Sequence, residues 1–495
     1  MKRARLPRVL PLFLPLFLAT SCGRSRPASS PPDLSEETSS EVAAGSLGSP
    51  GPRRPSARGP AGALASLEGS SADEPRADEP RVDEPRVDDD PAPAPAATIQ
   101  VARPSATPGP SEPLASGAPA LESIDALAPF YAALAATEAD EPTAVTRILH
   151  MGDSSIGLDG LPHAIRSRMQ RRFGDAGPGF VLVGRPSKNY DSQVATIEAA
   201  GWETCYIAFL CRKDGRYGLG GHVFRGPQGA WSRLGPPTRG ALGRDVSHIE
   251  LWYAASPRGG LLRLRVDGGP EAVIDTRAPD PDDRWHALDV EAGAHTVELR
   301  AGGRGRVGVY GVVLENEGPG VVWDTVSMSG AMTRRLHSYD DDHIARQIAR
   351  RDPDLLVLNY GGNDLRRFVT RAVEPATYKE EYRALVRKLR AGKEGLACLV
   401  VGVIDHGRSG PYEVEPRHVA AMVEVQRAVA AEEGCAFFDA AGAMGGPGSV
   451  QRWRNHRPRL VEPDLKHLSR RGRDRMGEMI FDALMAGFEA GDDAA

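Results

Sequence analysis

The sequence has few of the features that mark several large classes of protein. Cysteine occurs only 5 times in 495 residues, and neither a Cys-x-x-Cys pair nor His-rich spacing is present, which excludes the common patterns of zinc sites. The formal net charge of -5 is small for this length, so a nucleic-acid-binding protein is not indicated. With 41% hydrophobic and 26% charged residues, the composition is that of a soluble globular protein. We therefore expect folded units without a metal site.

A hydrophobic run long enough to cross a membrane is also missing at the N-terminus. The apolar residues 10–19 follow a positively charged start, whereas a spanning helix needs roughly 20 residues. A charged start, a short apolar stretch and small residues before Cys22 are typical of a signal peptide over residues 1–22. Residues 19–22 resemble the lipobox of bacterial lipoproteins, although Ala19 stands where that family usually has leucine. The resemblance implies lipidation of Cys22 and export to a membrane-anchored position in the periplasm, at the outer membrane or at the cell surface; ordinary secretory cleavage is the alternative.

Aromatic residues are absent from residues 23–118, which consist mainly of Pro, Ser, Ala, Gly, Asp and Glu. Such a segment cannot bury enough apolar surface to fold, so it is predicted to be a disordered tether. Inside it, the sequence Asp-Glu-Pro-Arg recurs at residues 73, 78 and 83, and its prolines and charges favour an extended chain.

Export would permit disulfides among the four remaining cysteines, which are Cys205, Cys211, Cys398 and Cys435. No pairing follows from the sequence alone. We expect buried thiols or one disulfide.

Strand-like and helix-like segments alternate in two stretches, residues 119–183 and 319–490. Apolar runs predict strands over 146–150, 355–359, 396–404 and 435–438. Helical spacing predicts helices over 161–173, 332–350, 378–389, 414–433 and 469–488. This alternation is typical of an α/β fold, in which helices cover both faces of a parallel sheet.

Residues 184–318 have a different pattern, with short apolar runs separated by Gly, Pro and Asp turns. The runs predict strands over 249–253, 261–266, 295–299 and 307–314, so we expect an inserted all-β domain. The segment contains four of the six tryptophans, which are Trp202, Trp231, Trp252 and Trp285. Packing in a sheet core is the favoured interpretation for each, and a platform for stacking sugars is the alternative.

Two of the four motifs that follow predicted strands carry a nucleophile and a base. Ser154, in Gly152-Asp153-Ser154, follows the first strand, where ligands bind in parallel sheets. Asp464 lies three residues before His467, close enough for its carboxylate to orient the imidazole. Taken singly, the serine fits a helix cap and an Asp-x-x-His sequence is common. The pairs Asp342-His343 and Asp405-His406 are alternatives.

The other two motifs offer hydrogen-bond donors. Gly330, in Ser329-Gly330-Ala331, would let a backbone N–H approach a substrate oxygen closely. Asn363, in Gly361-Gly362-Asn363-Asp364, follows an apolar strand, and its amide suits an oxyanion hole. A plain turn is the alternative at each position.

In this order along the chain, the four motifs resemble those of the SGNH (GDSL-type) hydrolases. The family's serine, glycine, asparagine and histidine correspond to Ser154, Gly330, Asn363 and His467, and Asp464 completes the triad. The resemblance implies a doubly wound, three-layer, flavodoxin-like fold over 119–183 and 319–490. It also implies an oxyanion hole formed by the backbone N–H groups of Ser154 and Gly330 and the Asn363 amide. The reaction that it implies needs no cofactor.

Residues 173–180 and 310–315, which flank the insertion, resemble a narrower group, the two-domain peptidoglycan O-acetylesterases. In those enzymes a β-sandwich similar to carbohydrate-binding modules lies between the first and second motifs. Ser155 departs from relatives that often have histidine there. The implied function is hydrolysis of O-acyl, above all O-acetyl, esters of cell-wall or extracellular polysaccharide. A lipase, a thioesterase, a glycan O-acetyltransferase and a non-catalytic wall-binding lipoprotein are the alternatives; the oligomeric state stays open.

Overall fold

The computed structural model describes residues 120–187 and 190–492. The described strands, in chain order, are β1 Val145–Gly152, β2 Gly179–Val181, β3 Thr196–Ala200, β4 Glu203–Tyr206, β5 His222–Gly226, β6 Trp231–Gly235, β7 Val246–Ala255, β8 Leu261–Val266, β9 Glu271–Asp275, β10 Asp282–Gly293, β11 Val297–Gly302, β12 Val307–Glu315, β13 Gly320–Ser327, β14 Leu355–Asn359, β15 Ala397–Val401, β16 Arg408–Ser409, β17 Tyr412–Glu413 and β18 Ala436–Phe438. The predicted signal peptide, the predicted lipidation site Cys22 and the predicted tether lie outside the described residues.

The helices are short except for four of 14 or more residues. In chain order they are α1 Ala128–Glu138, α2 Gly160–Phe173, α3 Thr333–Leu336, α4 Asp341–Arg351, α5 Leu365–Val369, α6 Pro375–Arg390, α7 Pro416–Glu432, α8 Ala440–Ala443, α9 Val450–Asn455 and α10 Arg470–Asp492. Short 3-10 turns cover Ile124–Leu127, Ser154–Asp159 and Ile207–Phe209. Within the described ranges, no helix is both long and apolar enough to cross a membrane.

The candidate site is built on a sheet of five parallel strands in the order β13-β1-β14-β15-β18. Numbered along the chain, this is the order 2-1-3-4-5 of flavodoxin-like sheets. Gly152 at the end of β1 is in register with Ser327 of β13 and with Asn359 of β14. The carboxyl ends of the three strands therefore lie side by side, and the loops that follow them meet at one edge of the sheet.

Helices cover both faces of this sheet, because neighbouring residues of each buried strand point to opposite sides. On one face, Ile148 and Val357 belong to the same hydrophobic cluster as residues of α2 and α10. On the other face, Leu149 and Leu358 belong to a cluster that includes residues of α6 and α7. The α/β fold with a parallel sheet, predicted from the alternation, is confirmed.

The predicted helix over residues 332–350 is wrong, because the segment forms two helices, α3 and α4. Asp340 has an extended backbone conformation and caps α4, since its carboxylate accepts a hydrogen bond from the His343 N–H at 2.9 Å. Apolar spacing alone did not reveal this break. The predicted strand 396–404 is also too long: β15 ends at Val401, and residues 402–406 leave the sheet toward the candidate site.

The insertion contains two antiparallel sheets with the orders β10-β7-β12-β5-β4 and β3-β6-β11-β8-β9, and β2 pairs with β12 in the first. Buried residues of both sheets, such as Trp252 and Leu264, belong to one hydrophobic cluster. Trp252 is 1% exposed, which agrees with the core interpretation. Trp202 and Trp285 are partly buried against the same core.

A buried polar cluster joins the insertion to the helices of the α/β part. His343 of α4 contacts the Asp283 carboxylate of β10 through Nδ1 at 2.8 Å, and its Nε2 accepts a hydrogen bond from the Gly218 N–H at 2.8 Å. The Tyr310 hydroxyl donates to the other Asp283 oxygen at 3.0 Å. The alternative pair Asp342-His343 is therefore not a catalytic dyad, because the partner of His343 is Asp283.

Two disulfides are present where at most one was expected, Cys205–Cys211 and Cys398–Cys435. The second bond connects β15 to the residue before β18, across 37 positions of sequence. A cross-link of that length is expected to stabilise the fold mainly by restricting the unfolded chain.

We expect the double variant Cys398→Ala/Cys435→Ala to lower the free energy of unfolding by about 3 kcal/mol. The measurement is equilibrium denaturation by guanidinium chloride, followed by tryptophan fluorescence. The matched variant Cys205→Ala/Cys211→Ala opens a loop of only 6 positions and should cost less. Equal or reversed losses for the two variants would contradict this expectation.

Candidate active site

Ser154 begins a tight turn directly after the central strand β1. Gly152 allows this close packing, because a Cβ there would lie 2.8 Å from the Asn359 carbonyl oxygen. The buried Asp153 carboxylate accepts a hydrogen bond from the Ser155 N–H at 2.8 Å and so caps the turn Ser154–Asp159. The turn leaves Ser154 half-buried at the carboxyl edge of the sheet.

The structure brings Ser154, His467 and Asp464 together in one hydrogen-bonded chain. The Ser154 Oγ lies 2.8 Å from His467 Nε2, although the two residues are 313 positions apart. His467 Nδ1 lies 2.6 Å from Asp464 Oδ2. A serine that contacts an imidazole, which in turn contacts a carboxylate, has the geometry of a nucleophile, its base and the group that orients the base.

Local hydrogen bonds hold Asp464 in its ionised form. Burial by itself would raise the pKa of the Asp464 carboxyl, but hydrogen bonds from the His467 side chain and from the backbone N–H groups of His467 and Lys466 outweigh it and keep the pKa below its usual value. Both backbone bonds measure 3.0 Å. A carboxylate in this state favours the tautomer of His467 that leaves Nε2 free to accept the Ser154 proton.

Two backbone N–H groups beside Ser154 are available to a ligand. Neither the Ser154 N–H nor the Gly330 N–H donates a hydrogen bond to another residue in the described part of the chain. Gly330 has φ +80°, and an added Cβ would meet nothing within 4 Å. Glycine therefore suits the conformation of this loop, and the space beside it is open.

Asn363 links the four motifs to one another. Its amide nitrogen donates to Asp153 Oδ2 at 3.2 Å and to the Ala331 carbonyl at 3.1 Å. Its oxygen accepts a hydrogen bond from Lys466 Nζ at 2.8 Å, which fixes the orientation of the amide. Because both amide hydrogens are in use, donation to a substrate oxyanion requires one of these bonds to be exchanged.

Sequence reasoning missed Lys466, and no pattern could have indicated that its side chain reaches Asn363. It also left the pair Asp405-His406 open. His406 lines a small cavity next to Ser154, and its Nδ1 contacts the Ile404 carbonyl at 2.7 Å. Burial lowers the pKa of His406 to about 4, so its imidazole is neutral near pH 7. Asp405 instead accepts a hydrogen bond from the Val450 N–H, so the two residues do not form a dyad.

The insertion also supports the site, which the sequence did not indicate. The Tyr206 hydroxyl donates to the Ser329 carbonyl at 2.8 Å, directly before Gly330. The Cys205–Cys211 disulfide closes the loop that begins at Tyr206. Tyr206 is therefore a positioning residue for the loop that carries the Gly330 N–H.

We expect Tyr206→Phe to lower kcat for p-nitrophenyl acetate about fivefold with little change in KM, because one hydrogen bond worth about 1 kcal/mol is lost from the Gly330 loop. Steady-state kinetics measures both constants. The half-exposed Tyr412 provides a matched control, and Tyr412→Phe should leave both constants unchanged. An equal effect of the two variants would refute a positioning role for Tyr206.

The similarity of the chain to known proteins agrees with this geometry. Residues 291–475 match the model of the GDSL-like Lipase/Acylhydrolase family, a span that contains Gly330, Asn363, Asp464 and His467, while Ser154 precedes it. A comparison with curated proteins finds no match.

Among solved structures, the fold is shared with the first of the three described next. A structure titled "Peptidoglycan O-acetylesterase in action, 5 min" is 22% identical, with 75% of this chain and 99% of that chain covered and a TM-score of 0.62. A family two carbohydrate esterase from Cellvibrio japonicus is 12% identical, with 60% and 98% covered and a TM-score of 0.25. A lipase/acylhydrolase from Enterococcus faecalis is 20% identical, with 33% and 75% covered and a TM-score of 0.26. Given the family match over residues 291–475 and the contacts of Ser154 and His467, the chain is an ester hydrolase that is similar to the GDSL-like lipase/acylhydrolases.

Proposed function

We propose that the protein hydrolyses O-acyl esters, above all O-acetyl esters, of cell-wall or extracellular polysaccharide through an acyl-enzyme on Ser154. The observation that carries the chemistry is the continuous hydrogen-bonded chain from Ser154 through His467 to Asp464. In this proposal Ser154 is the nucleophile, His467 the general base and Asp464 the group that orients and stabilises the base.

In the first half of the reaction, His467 Nε2 takes the Ser154 proton while the Oγ attacks the ester carbonyl. The tetrahedral intermediate collapses when His467 returns that proton to the leaving sugar oxygen, which breaks the ester bond and leaves an acyl-enzyme. In the second half, His467 takes a proton from water, the hydroxide attacks the acyl carbonyl, and the returned proton releases Ser154.

The oxyanion would be stabilised by the free N–H groups of Ser154 and Gly330 and by the Asn363 amide. The two backbone donors can act without reorganisation, whereas the Asn363 amide would exchange its bond to Asp153 or to Ala331 for one to the oxyanion. The bond from Lys466 to the Asn363 oxygen supports this role, because it keeps the amide nitrogen on the side of Asp153 and Ala331.

The choice of polysaccharide rests on two supports. The fold is shared with a peptidoglycan O-acetylesterase over 75% of this chain and 99% of that chain. A lipid anchor at Cys22 and an extended tether would hold the enzyme at a membrane and close to exported glycans.

The test is release of acetate by the purified protein from O-acetylated peptidoglycan, acetylated xylan and p-nitrophenyl acetate. We expect acetate from all three and a higher kcat/KM on a polysaccharide than on the small ester. Transfer of acetyl groups to an added glycan, without free acetate, would identify an acyltransferase instead. Preference for long-chain esters would identify a lipase, and absence of turnover would leave only a binding role.

A further inference from the structure

A second, larger cleft is present in addition to the small cavity that Ser154 and His467 line. It has a volume of about 1530 Å³ and lies between α2, the start of α10 and residues 237–242 of the insertion. Leu158, four residues after Ser154, and Arg470, three residues after His467, both line it. The chain segments that carry Ser154 and His467 therefore both extend to this cleft, whose size suits several sugar rings rather than a single small ion.

The lining of this cleft is strongly basic. Eight arginines and three carboxylates face it. Three of the arginines are paired with a carboxylate: Arg166 with Asp159 at 2.8 Å, Arg168 with Asp474 at 3.2 Å and Arg185 with Asp191 at 3.5 Å. The other five form no ion pair with any residue in the described ranges, and these are Arg171, Arg239, Arg470, Arg471 and Arg473.

Arg473 shows most directly that the cleft has unmet bonding capacity. Its Nε is buried and has no hydrogen-bond partner among the described residues. Burial lowers the pKa of its guanidinium and repulsion from Arg470 adds to this, while attraction to Glu462 offsets only part of the effect. A half-buried guanidinium that lies near another cation and forms no ion pair among the described residues would be stabilised by an anion bound in the cleft.

Three of these arginines lie at a helix start, where positive charge destabilises the helix unless an anion is bound nearby. Arg470, Arg471 and Arg473 lie in the first turn of α10, which contains no acidic residue. The start of a helix carries partial positive charge, so cations there are repelled rather than stabilised. Local choices that oppose stability in this way are expected at functional sites.

We propose that this cleft binds carboxylate groups of the polysaccharide whose esters Ser154 cleaves, so that the substrate is an acidic glycan. The inference rests on the proposed function and names its substrate class. Guanidinium groups pair with carboxylates through two parallel hydrogen bonds. Three carboxylates also line the cleft, but two of them, Asp474 and Asp191, are paired with Arg168 and Arg185, so the unpaired charge of the lining is mainly positive.

The test compares acetylated polygalacturonate with the same polymer acetylated after reduction of its carboxyl groups. We expect the wild-type KM to be about tenfold lower for the acidic polymer, and this advantage to shrink between 50 mM and 500 mM NaCl, because salt screens exposed charges. In the double variant Arg470→Gln/Arg471→Gln, KM for the acidic polymer should rise about tenfold, with kcat and turnover of p-nitrophenyl acetate unchanged. The exposed Arg304, in a turn of the insertion, provides the control Arg304→Gln, which should change nothing.

Binding of unacetylated polygalacturonate, followed by fluorescence anisotropy of a labelled polymer, decides the inference without turnover. Wild-type protein should bind about tenfold more tightly than the double variant. Equal KM values for the two polymers, or equal binding by the two proteins, would overturn the inference. Tighter binding of polyphosphate than of polygalacturonate would overturn the carboxylate assignment. If no ester is hydrolysed but the difference in binding persists, the proposed function fails and the acidic-ligand site stands.

Discussion

Replacing Ser154 with alanine is expected to lower kcat for p-nitrophenyl acetate by roughly 10⁵- to 10⁶-fold, the scale on which catalytic serines act in triads. The Oγ, 2.8 Å from His467 Nε2, is the atom that would become covalently bonded to the acyl group. Without it, only binding of the ester and the oxyanion donors remain to assist attack by water. Initial-rate measurements at high enzyme concentration should therefore detect only residual turnover.

Two measurements separate loss of the nucleophile from loss of the fold. Ser154 is half-buried and small, so Ser154→Ala should unfold at the same denaturant concentration as wild-type protein. The double variant Ser154→Ala/His467→Ala should be no slower than Ser154→Ala alone, because residues that act as a unit are not additive. Turnover within tenfold of wild type in Ser154→Ala would mean that another residue is the nucleophile.

Asp464→Asn is expected to lower kcat by about 10⁴-fold with little change in KM, because an amide stabilises the wrong tautomer of the histidine. In wild-type protein, Asp464 Oδ2 lies 2.6 Å from His467 Nδ1, and hydrogen bonds hold the pKa of the carboxyl below its usual value. Asparagine can occupy the same space, but it can turn its NH₂ group toward His467 Nδ1. The imidazole would then carry its proton on Nε2, and this N–H, which cannot accept a proton, would face Ser154. Steady-state kinetics near pH 7 measures the loss.

Asp342→Asn is the matched control for this variant. Asp342 also precedes a histidine, but it is exposed, and the partner of His343 is Asp283. We expect kcat to stay within twofold of wild type. A large loss in Asp342→Asn together with a small loss in Asp464→Asn would reverse the assignment of the orienting carboxylate.

The sequence was sufficient for those parts of the fold that depend on local patterns. Apolar runs and helical spacing identified β1, β14, α2 and α10. In the strands the buried residues form a continuous apolar run, and in the helices they recur at helical spacing, so both patterns can be read from the sequence. The motif around Ser154 was found because it follows an apolar strand, whereas Asp464 and His467 were singled out by their three-residue spacing ahead of the last predicted helix.

The features that the sequence did not predict depend on contacts between distant segments. The hydrogen bonds from Tyr206 to Ser329 and from Lys466 to Asn363 join residues 123 and 103 positions apart. No periodic pattern in the sequence indicates the partner of a single hydroxyl or ammonium group. The same holds for the second disulfide, whose cysteines belong to different strand regions. The basic cleft was invisible for this reason as well, since its arginines come from α2, the insertion and α10.

The pairing of β1 has a consequence for how the chain is synthesised. Both neighbours of β1 in the sheet, β13 and β14, come after the whole insertion, so the ribosome makes β1 long before either partner exists. A nascent chain therefore carries an apolar strand with two open edges, the kind of segment that chaperones protect from aggregation. His467 is made 313 positions after Ser154, so the hydrogen bond between the two side chains can form only when translation is almost complete. Premature termination between Ser154 and His467 would thus yield a protein that has the serine without the imidazole that contacts it.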